Sequence, residues 1–321
     1  MKVINGVENY TDRSKPLVLA LGNFDGVHIG HQFLVREANE EAKRIDGISA
    51  MLVFDPHPLK VLVPSRAPKL LTTLKQKTRI LDELGLDLLI VTPFTRDIAA
   101  WSPESFVHKI LVKTLGVKAV FVGYNYSFGS KAAGDAEMMK ALGQKNNIDV
   151  HIINPIMMEG QVVSSTLVRK CLENGDIDAV RRFTGRLPLM EGKVVEGEKR
   201  GKTIGIPTAN LAIDKELVIP GNGVYAVKAC VKGQTIEGVV NIGRKPTFHP
   251  DFPVSIEAHF FDFDQDIYGE TISIALVSRL REEQKFNGVQ ELIDQIDIDA
   301  KQARRILEDC STDFDNILKS F

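Results

Sequence analysis

Short apolar runs alternate with longer amphipathic stretches between residues 17 and 153, and this alternation constrains the fold more than any other feature of the chain. The apolar runs have the length of buried strands, and the stretches between them have the apolar spacing of helices that pack on a sheet. This order predicts an α/β unit with a parallel, Rossmann-like sheet. The predicted strands are 17–22, 48–54, 86–92, 118–123 and 149–153, and the predicted crossover helices are 32–44, 74–84, 103–115 and 135–144.

The pattern changes after Pro188, where short strand-like runs with frequent glycine begin. Such runs predict an antiparallel barrel or sandwich. Because Gly185 and Pro188 interrupt the chain, we place a domain boundary here and predict domains 1–186 and 187–321. Helices are predicted just before the boundary and at the end of the second domain, where the last one is expected to pack on the barrel: 165–172, 177–183 and 289–307. The predicted strands are 191–197, 223–231, 236–243, 254–261 and 270–277.

Composition limits the partners of the chain. Lys and Arg total 40 against 42 Asp and Glu, a net charge of -2, which gives no broad positive field for nucleic acid or an anionic membrane. We therefore expect neither partner, and the sequence leaves a homo-oligomer open. Neither a secretory signal nor an apolar run of membrane-spanning length is recognisable. The three cysteines, Cys171, Cys230 and Cys310, are far apart, which argues against disulfides and structural zinc and favours a reducing cytoplasm.

The segment GNFDGVHIGH follows the first predicted strand and opens the first helix. Gly22, Gly26 and Gly30 allow the backbone to approach a ligand closely, and the helix start offers N–H groups to phosphate. His28 and His31 can face one side and donate to phosphate oxygens, which suits nucleotidyl transfer. The alternatives are an exposed glycine-rich turn and a zinc pair. The position after a strand favours the phosphate site, and zinc is disfavoured because no metalloprotease glutamate or cysteine cluster adjoins.

Three more segments follow predicted strands at the end where open parallel sheets bind ligands: FDPHP at 54–58, GYNYSFG at 123–129 and SSTLVR at 164–169. The two prolines of FDPHP predict a stiff wall rather than a helix start, and an ordinary turn is equally compatible. The aromatic residues of GYNYSFG suit a planar ligand with Asn125 as a polar anchor, although their alternation would also fit a core. Ser165, Thr166 and Arg169 can present hydroxyls and a guanidinium to a triphosphate, with a plain helix cap as the alternative.

In the second half, KRGKTIGIPTAN joins a basic glycine-containing loop to a short polar sequence. Backbone N–H groups around such a loop can surround phosphate, although KRGK alone would fit a charged hairpin turn. Thr208 and Asn210 are two positions apart, so on an extended segment both can offer oxygens to Mg²⁺. Phosphoryl transfer to a hydroxyl also needs a base, and Glu257 alternates with Ser255 and His259 on one strand face. An isolated strand glutamate usually faces solvent.

Taken in order, GNFDGVHIGH, FDPHP, GYNYSFG and SSTLVR resemble the bacterial bifunctional riboflavin kinase/FMN adenylyltransferase family, also called FAD synthetase. PTAN, the Glu257 strand and RLREEQKF extend the resemblance over essentially the whole chain. The resemblance implies a nucleotidyltransferase-like first domain that makes FAD and pyrophosphate from FMN and ATP. It implies a β-barrel second domain that makes FMN from riboflavin and ATP, with Mg²⁺ in both reactions.

The resemblance also implies roles for individual residues. Glu257 is the expected catalytic base toward the ribityl hydroxyl, His28 and His31 are the expected catalytic groups of the first domain, and Thr208 and Asn210 are expected to hold Mg²⁺. Residues of two loops and a helix start are expected to bind ATP: Gly22, Phe24, Asp25, Gly26, His28, His31, Ser165, Thr166, Arg169, Lys202 and Gly205. Residues of FDPHP, GYNYSFG and RLREEQKF are expected to bind the flavin: Asp55, Pro56, His57, Pro58, Asn125, Arg281, Glu283 and Phe286.

Five positions depart from the family's usual residues. Asn125 stands where many members have an acidic residue, so we expect it to hydrogen-bond rather than to act as an acid or base. The other four departures are expected to change affinity more than activity: Ile206, Arg244, Lys245 and Arg279. Two rival interpretations are a domain that has become a non-catalytic flavin-binding module, and a first domain that uses another acceptor. Glu257 together with PTAN, and the presence of both histidines, argue against the first rival. The second domain argues against the other.

Overall fold

The computed structural model describes residues 1–197, 205–243 and 254–308. The chain forms two compact units, the first being Met1–Ser165 and the second beginning at Thr166. In the first unit a six-stranded sheet has the order β1-β4-β3-β2-β5-β8, and every neighbouring pair is parallel. Its strands are β1 Lys2–Asn5, β2 Leu17–Leu21, β3 Ile48–Asp55, β4 Leu88–Pro93, β5 Val117–Gly123 and β8 Asp149–Ile153. Two short hairpins pair β6 Ser127–Phe128 with β7 Gly134–Asp135, and β9 Met157–Met158 with β10 Gln161–Val162.

Helices connect the parallel strands, as the alternation of the sequence predicts. Thr73 caps α3 by accepting a hydrogen bond from the Gln76 amide, and the Gln76 side chain accepts one from the amide of Thr73. Such a capping box satisfies two N–H groups that would otherwise lack a partner at the helix start. The helices are α1 Ile29–Arg44, α2 Pro58–Leu62, α3 Leu74–Glu83, α4 Arg96–Ala99, α5 Pro103–Phe106, which continues as a wider π-helical segment over Val107–Leu115, and α6 Ala136–Lys145.

The central strand β2 is buried on both faces. Leu17, Leu19 and Leu21 pack into one hydrophobic layer, and Val18 and Ala20 pack into the layer on the opposite face. A parallel sheet covered on both sides needs apolar residues at successive positions, which explains the continuous apolar run. The predicted α/β architecture is confirmed, and β1 is an additional edge strand that the sequence did not predict.

The second unit contains a closed six-stranded barrel with the order β11-β12-β15-β14-β13-β16 and with antiparallel pairs throughout, closed by β16 on β11. The observed barrel decides between the two predicted β architectures. Five strands match predicted runs, and β12, which carries the end of PTAN, is the sixth. The strands are β11 Leu189–Val195, β12 Ala209–Ile213, β13 Gly223–Val231, β14 Gln234–Gly243, β15 Ser255–Phe260 and β16 Thr271–Arg281.

Three helices accompany the barrel: α7 Ser165–Glu173, α8 Ile177–Thr184 and α9 Val289–Glu308. The terminal helix α9 packs on β13, β14 and β16, as the sequence predicts. Helix α8 packs on β16, and the amide of Gly221 donates to the carbonyl of Leu172 at 3.0 Å. Helices α7 and α8 therefore pack with the barrel, although they precede residue 187. No helix in the described ranges is long and apolar enough to span a bilayer.

Candidate active sites

The first candidate site lies at the carboxyl end of β2, on the segment Gly22–His31, which we call the histidine loop. The chain passes from β2 through β3 to β4 on one side of the sheet, and then to β5 on the other side of β2. Ligands of open parallel sheets bind where the strand order reverses in this way. The topology therefore places the histidine loop at the expected ligand position.

Asp25 fixes the histidine loop to the segment before α3. Its carboxylate is 4% exposed and accepts hydrogen bonds from the amides of Leu71, at 3.0 and 3.1 Å, and Thr72, at 3.3 Å. The hydroxyl of Thr72 accepts from the amide of Gly26 at 3.2 Å. A Cβ on Gly26, whose φ is +74°, would lie 2.7 Å from Cδ1 of Leu71, so this position requires glycine. In this arrangement Asp25 holds the loop in shape, and contact of its side chain with ATP stays a prediction.

The two histidines of the loop stack on each other. Their ring centroids are 3.7 Å apart with an interplanar angle of 22°, and the ring of Phe24 lies 5.0 Å from that of His31. His28 caps α1, because its Nδ1 accepts the amide of His31 at 3.4 Å. A neutral His28 ring that accepts at Nδ1 carries its proton on Nε2. Both imidazoles therefore lie at the start of a sixteen-residue helix, where the helix dipole also favours phosphate.

Lys77 is a further residue at the histidine loop that the sequence did not predict. Its Nζ donates to the carbonyl of Asn23 at 2.8 Å across 54 positions of sequence. Burial lowers the pKa of the Lys77 ammonium, and the nearby carboxylates of Asp25 and Asp55 oppose that shift. Lys77 lies within a predicted helix, and no local sequence pattern marks it as a site residue.

The last residue of FDPHP begins a short helix. The prediction that this segment forms a stiff wall rather than a helix start was therefore wrong. Pro58 is the first residue of α2, and Nδ1 of His57 caps the helix by accepting the amide of Leu59 at 3.2 Å. Proline is favoured at a first helical position because its missing N–H would have no helical partner there. Asp55 ends β3 and is exposed, beside Pro56. Flavin binding by this segment stays a prediction.

The aromatic residues of GYNYSFG divide into two groups. Tyr126 packs on the hydrophobic core and stacks on the buried Phe128, with ring centroids 5.7 Å apart. Burial raises the pKa of the Tyr126 phenol. Tyr124 and Asn125 are exposed just beyond the carboxyl end of β5. The core alternative thus holds for Tyr126 and Phe128, and contact of Asn125 with the flavin stays a prediction.

Ser165 contacts the histidine loop directly, since its hydroxyl donates to the carbonyl of Asp25 at 2.8 Å. In this contact Ser165 acts as a donor, in addition to being the first residue of α7. Thr166 is exposed and Arg169 is partly buried on the same helix. The predicted contacts of Thr166 and Arg169 with ATP stay predictions.

The second candidate site is a row of polar residues across three barrel strands, which we call the polar row: Asn210 on β12, Glu257 on β15 and Asn241 on β14. The strand register places Glu257 directly opposite Asn210 on one side and Asn241 on the other. Residues directly opposite each other on adjacent strands project from the same face. The sequence did not predict Asn241 as a site residue, because only the strand register shows that it lies opposite Glu257.

The side chains of β15 alternate as predicted. Ile256, Ala258 and Phe260 are buried in the barrel core, whereas Glu257 and its neighbours Ser255 and His259 are only partly buried. The hydroxyl of Ser255 donates to Oε1 of Glu257 at 3.0 Å. Nδ1 of His259 lies 2.9 Å from the carbonyl oxygen of Pro207. The hydrogen bond from Ser255 thus helps to orient the Glu257 carboxylate, while the strand neighbour His259 contacts the segment that carries Thr208.

Thr208 immediately precedes β12, two positions before Asn210 in the polar row. The amide group of Asn210 lies against the Cα of Gly197, where any Cβ would clash. A threonine hydroxyl and an asparagine amide oxygen are hard donors of the kind that Mg²⁺ prefers, and coordination of Mg²⁺ by Thr208 and Asn210 stays a prediction. Gly205, predicted to bind ATP, has a φ of +78° that favours glycine. Lys202 lies outside the described residues.

The RLREEQKF segment is fixed by the terminal helix and by the loop before β13. Arg281 forms an ion pair with the buried carboxylate of Asp299 on α9, with Nε at 3.0 Å from both oxygens and Nη2 at 2.8 Å from Oδ2. Its guanidinium lies 5.7 Å from the ring centroid of Phe286. Glu283 accepts from Asn222 at 3.3 Å. Binding of flavin by Arg281, Glu283 and Phe286 stays a prediction.

Arg279, one of the departures from the family pattern, connects helix and barrel. Its guanidinium donates to the carbonyl of Asn222 and, at 3.5 Å, to that of Asn174 between α7 and α8. The exchange of an apolar residue for arginine thus adds polar contacts within the second unit. Ile206 is partly buried, and Arg244 and Lys245 lie outside the described residues.

Comparison with known proteins gives a consistent result for both units. The family model described as FAD synthetase matches residues 11–167, and the one described as riboflavin kinase matches residues 184–307. The chain is 37% identical to the bifunctional riboflavin kinase/FMN adenylyltransferase of Bacillus subtilis, over 90% of this chain and 92% of that protein. It is 38% identical to the protein of the same name from Listeria monocytogenes, over 92% of this chain and 94% of that protein.

The fold is similar to that of a solved structure, the crystal structure of a macrolide-efflux protein from Streptococcus pneumoniae. The TM-score is 0.84 at 30% identity, and the match covers 94% of this chain and 98% of that protein. This likeness supports the α/β unit followed by a β-barrel.

Proposed function

The chain belongs to the family of bifunctional riboflavin kinase/FMN adenylyltransferases, which phosphorylate riboflavin with ATP and adenylylate FMN with ATP, and we propose which of its residues carry each reaction. The histidine loop carries the adenylyl transfer, and the polar row carries the phosphoryl transfer. The observation that supports the second assignment most strongly is the register that places Glu257 between Asn210 and Asn241.

At the histidine loop, an oxygen of the FMN phosphate attacks the α-phosphorus of ATP. The new P–O bond gives FAD, and the bond from the α-phosphorus to the bridging oxygen breaks to release pyrophosphate. The attacking phosphate is already an anion, so the step needs no base and depends on stabilising negative charge. The stacked rings of His28 and His31, at the helix start, supply donors for that charge.

At the polar row, the terminal ribityl hydroxyl of riboflavin attacks the γ-phosphorus of ATP. The bond between the γ-phosphorus and the bridging oxygen breaks, and ADP leaves. A neutral hydroxyl must lose a proton in this reaction, and Glu257 is the group that accepts it. Ser255 holds Oε1 of that carboxylate by a hydrogen bond at 3.0 Å, which orients the base.

The kinase site also has residues suited to Mg²⁺. Thr208 and Asn210 are the residues that would hold the ion, and when bound it would neutralise charge on the ATP phosphates. In the first unit, the proposed flavin contacts are Asn125 and the FDPHP segment. Their location at the carboxyl ends of β5 and β3, with Asn125 and its neighbour Tyr124 exposed, supports this proposal. Ser165, with Thr166 and Arg169, is proposed to contact the triphosphate. A cytoplasmic location stays a prediction.

Glu257→Gln tests the assignment of the polar row, because it removes the base and keeps the side-chain size. We expect the rate of FMN formation from riboflavin to fall about 100- to 10,000-fold, the usual contribution of a positioned base. FAD formation from added FMN should stay at the wild-type rate. Chromatographic separation of riboflavin, FMN and FAD over time measures both. A wild-type rate of riboflavin phosphorylation in this variant would contradict the assignment.

A further inference from the structure

Lys77 lies outside the histidine loop in sequence, and the proposed reaction gives it no role. It lies on α3, and its ammonium contacts the carbonyl of Asn23, which lies two residues beyond the end of β2. The two carboxylates that act on it electrostatically are Asp25 in the histidine loop and Asp55 at the end of β3. The amine is therefore located where two neighbouring parallel strands end.

The hydrogen bonding of Lys77 leaves it able to bind a ligand. An ammonium group has three donors, and among the described residues the bond to Asn23 is its one hydrogen bond. The side chain is half-buried, so it is partly shielded from water and still partly accessible. The loss of solvation, which also lowers its pKa, strengthens its attraction to an anion.

The charges around the loop also require a cation here. A nucleotide that binds at the histidine loop brings several negative charges close to Asp25 and Asp55. The carboxylate of Asp25 is already stabilised by the amides of Leu71 and Thr72, which lessens its repulsion but leaves its charge. The ammonium of Lys77 offsets these acidic groups and makes the strand ends compatible with a polyanion.

We propose that Lys77 is a phosphate-binding residue of the adenylyl-transfer site, which keeps its bond to Asn23 and donates its other two protons to phosphate oxygens. The inference rests on the assignment of that reaction to the histidine loop. The phosphate belongs to ATP, whose outer phosphates leave as pyrophosphate, or to FMN. Lysine binds either one as a point charge.

Lys77→Met removes the charge and the donors while keeping a side chain of similar length. In the full-length protein, kcat/KM for FAD formation from FMN and ATP should fall about 100-fold, the size of effect expected for one preorganised donor. Contact with ATP predicts a rise of about tenfold or more in KM for ATP and in the inhibition constant for pyrophosphate. Contact with FMN predicts that KM for FMN rises instead. Lys77→Arg retains the charge, so its kcat/KM for FAD formation should be at least tenfold higher than that of Lys77→Met.

Two controls separate this role from a structural one. Lys75→Met changes an exposed lysine on the same helix and should leave all constants at wild-type values. Riboflavin phosphorylation, carried by the other unit, should be unchanged in Lys77→Met and reports that the variant is folded. If Lys77→Met does not fold, Lys77→Arg and Lys77→Gln give the comparison, and equal activity of these two would overturn the proposal.

Unchanged binding would also overturn it. If Lys77→Met is slower but keeps wild-type values of both KM constants and of pyrophosphate inhibition, Lys77 only tethers the loop through Asn23. A wild-type rate in Lys77→Met would show that it has no role. His31→Ala in the same assay distinguishes a failure of the Lys77 inference from a failure of the site assignment. If His31→Ala is slow and Lys77→Met is not, only the Lys77 inference fails. If His31→Ala is also fast, the site assignment fails.

Discussion

The histidine loop is one continuous stretch of chain at the end of a strand, whereas the polar row is assembled from residues on three separate strands of the barrel. In the loop, Asp25, His28 and Ser165 fix the shape through hydrogen bonds to backbone groups. In the row, the barrel register sets the positions of Asn210, Glu257 and Asn241. The loop offers donors and the row offers a carboxylate.

This difference matches the two reactions. An FMN phosphate attacks as an anion, so the site that receives it needs positive charge and N–H donors rather than a base. A ribityl hydroxyl attacks only as it loses a proton, so its site needs a carboxylate. The two kinds of architecture should therefore respond separately to substitution.

Truncation tests how much the helices before residue 187 contribute to the barrel unit. A fragment that begins at Leu187 lacks α8, whose Ile177, Val180 and Phe183 are buried. Each such side chain contributes about 1.5–3 kcal/mol, so the fragment should be less stable by roughly 5 kcal/mol than one that begins at Thr166. Both fragments are expected to make FMN. Urea denaturation and the riboflavin assay measure these properties.

Equal stability of the two fragments would show that the helices do not stabilise the barrel. If the fragment beginning at Leu187 folds well and makes no FMN, the predicted autonomous kinase domain, 187–321, is contradicted.

Asp299→Ala breaks the buried ion pair with Arg281 and leaves the arginine charge without its partner. Removing one partner of a buried pair costs about 3–5 kcal/mol, so we expect a loss of that size in the free energy of unfolding of the barrel unit. Asp297→Ala, an exposed acid on the same helix, is the matched control and should change the stability little. A loss below about 1 kcal/mol in Asp299→Ala would show that the pair does not anchor the terminal helix.

His28→Ala and His31→Ala each remove one donor from the histidine loop. We expect FAD formation from FMN to slow at least about 100-fold in each variant, equivalent to about 3 kcal/mol. His108→Ala, which changes an exposed histidine elsewhere in the first unit, is the control and should retain wild-type activity. Wild-type rates in both loop variants would mean that the histidines have a structural role only.

The sequence predicted the first unit well because its strands are long and buried on both faces. The edge strand Lys2–Asn5 was missed because it is short and three of its four residues are exposed, so no apolar run marks it. The histidine loop was recognisable because its residues are contiguous. Lys77 was not, since its contact with Asn23 spans 54 positions and only the packing of α3 brings them together.

In the barrel, the closed topology and the polar row could not be predicted, because both depend on which strands pair. The sequence of a single strand does not encode its pairing partner. Strand Ala209–Ile213 was missed as a strand because it is only five residues long and lies close after Pro207, although Thr208 and Asn210 were recognised. Asn241 was missed because nothing local distinguishes it from other polar strand residues. The helix start at Pro58 was misjudged because two prolines were interpreted as stiffness alone, when the second occupies a favourable first helical position.

Mixing two variants shows whether the two reactions take place at two separate sites. Glu257→Gln should accept FMN but not riboflavin, and His31→Ala should make FMN but very little FAD. Supplied with riboflavin, ATP and Mg²⁺, each variant alone should therefore make almost no FAD, whereas the mixture should accumulate FMN first and then FAD. If Glu257→Gln also fails to convert added FMN, or His31→Ala fails to make FMN, the sites are not separate and the account is contradicted.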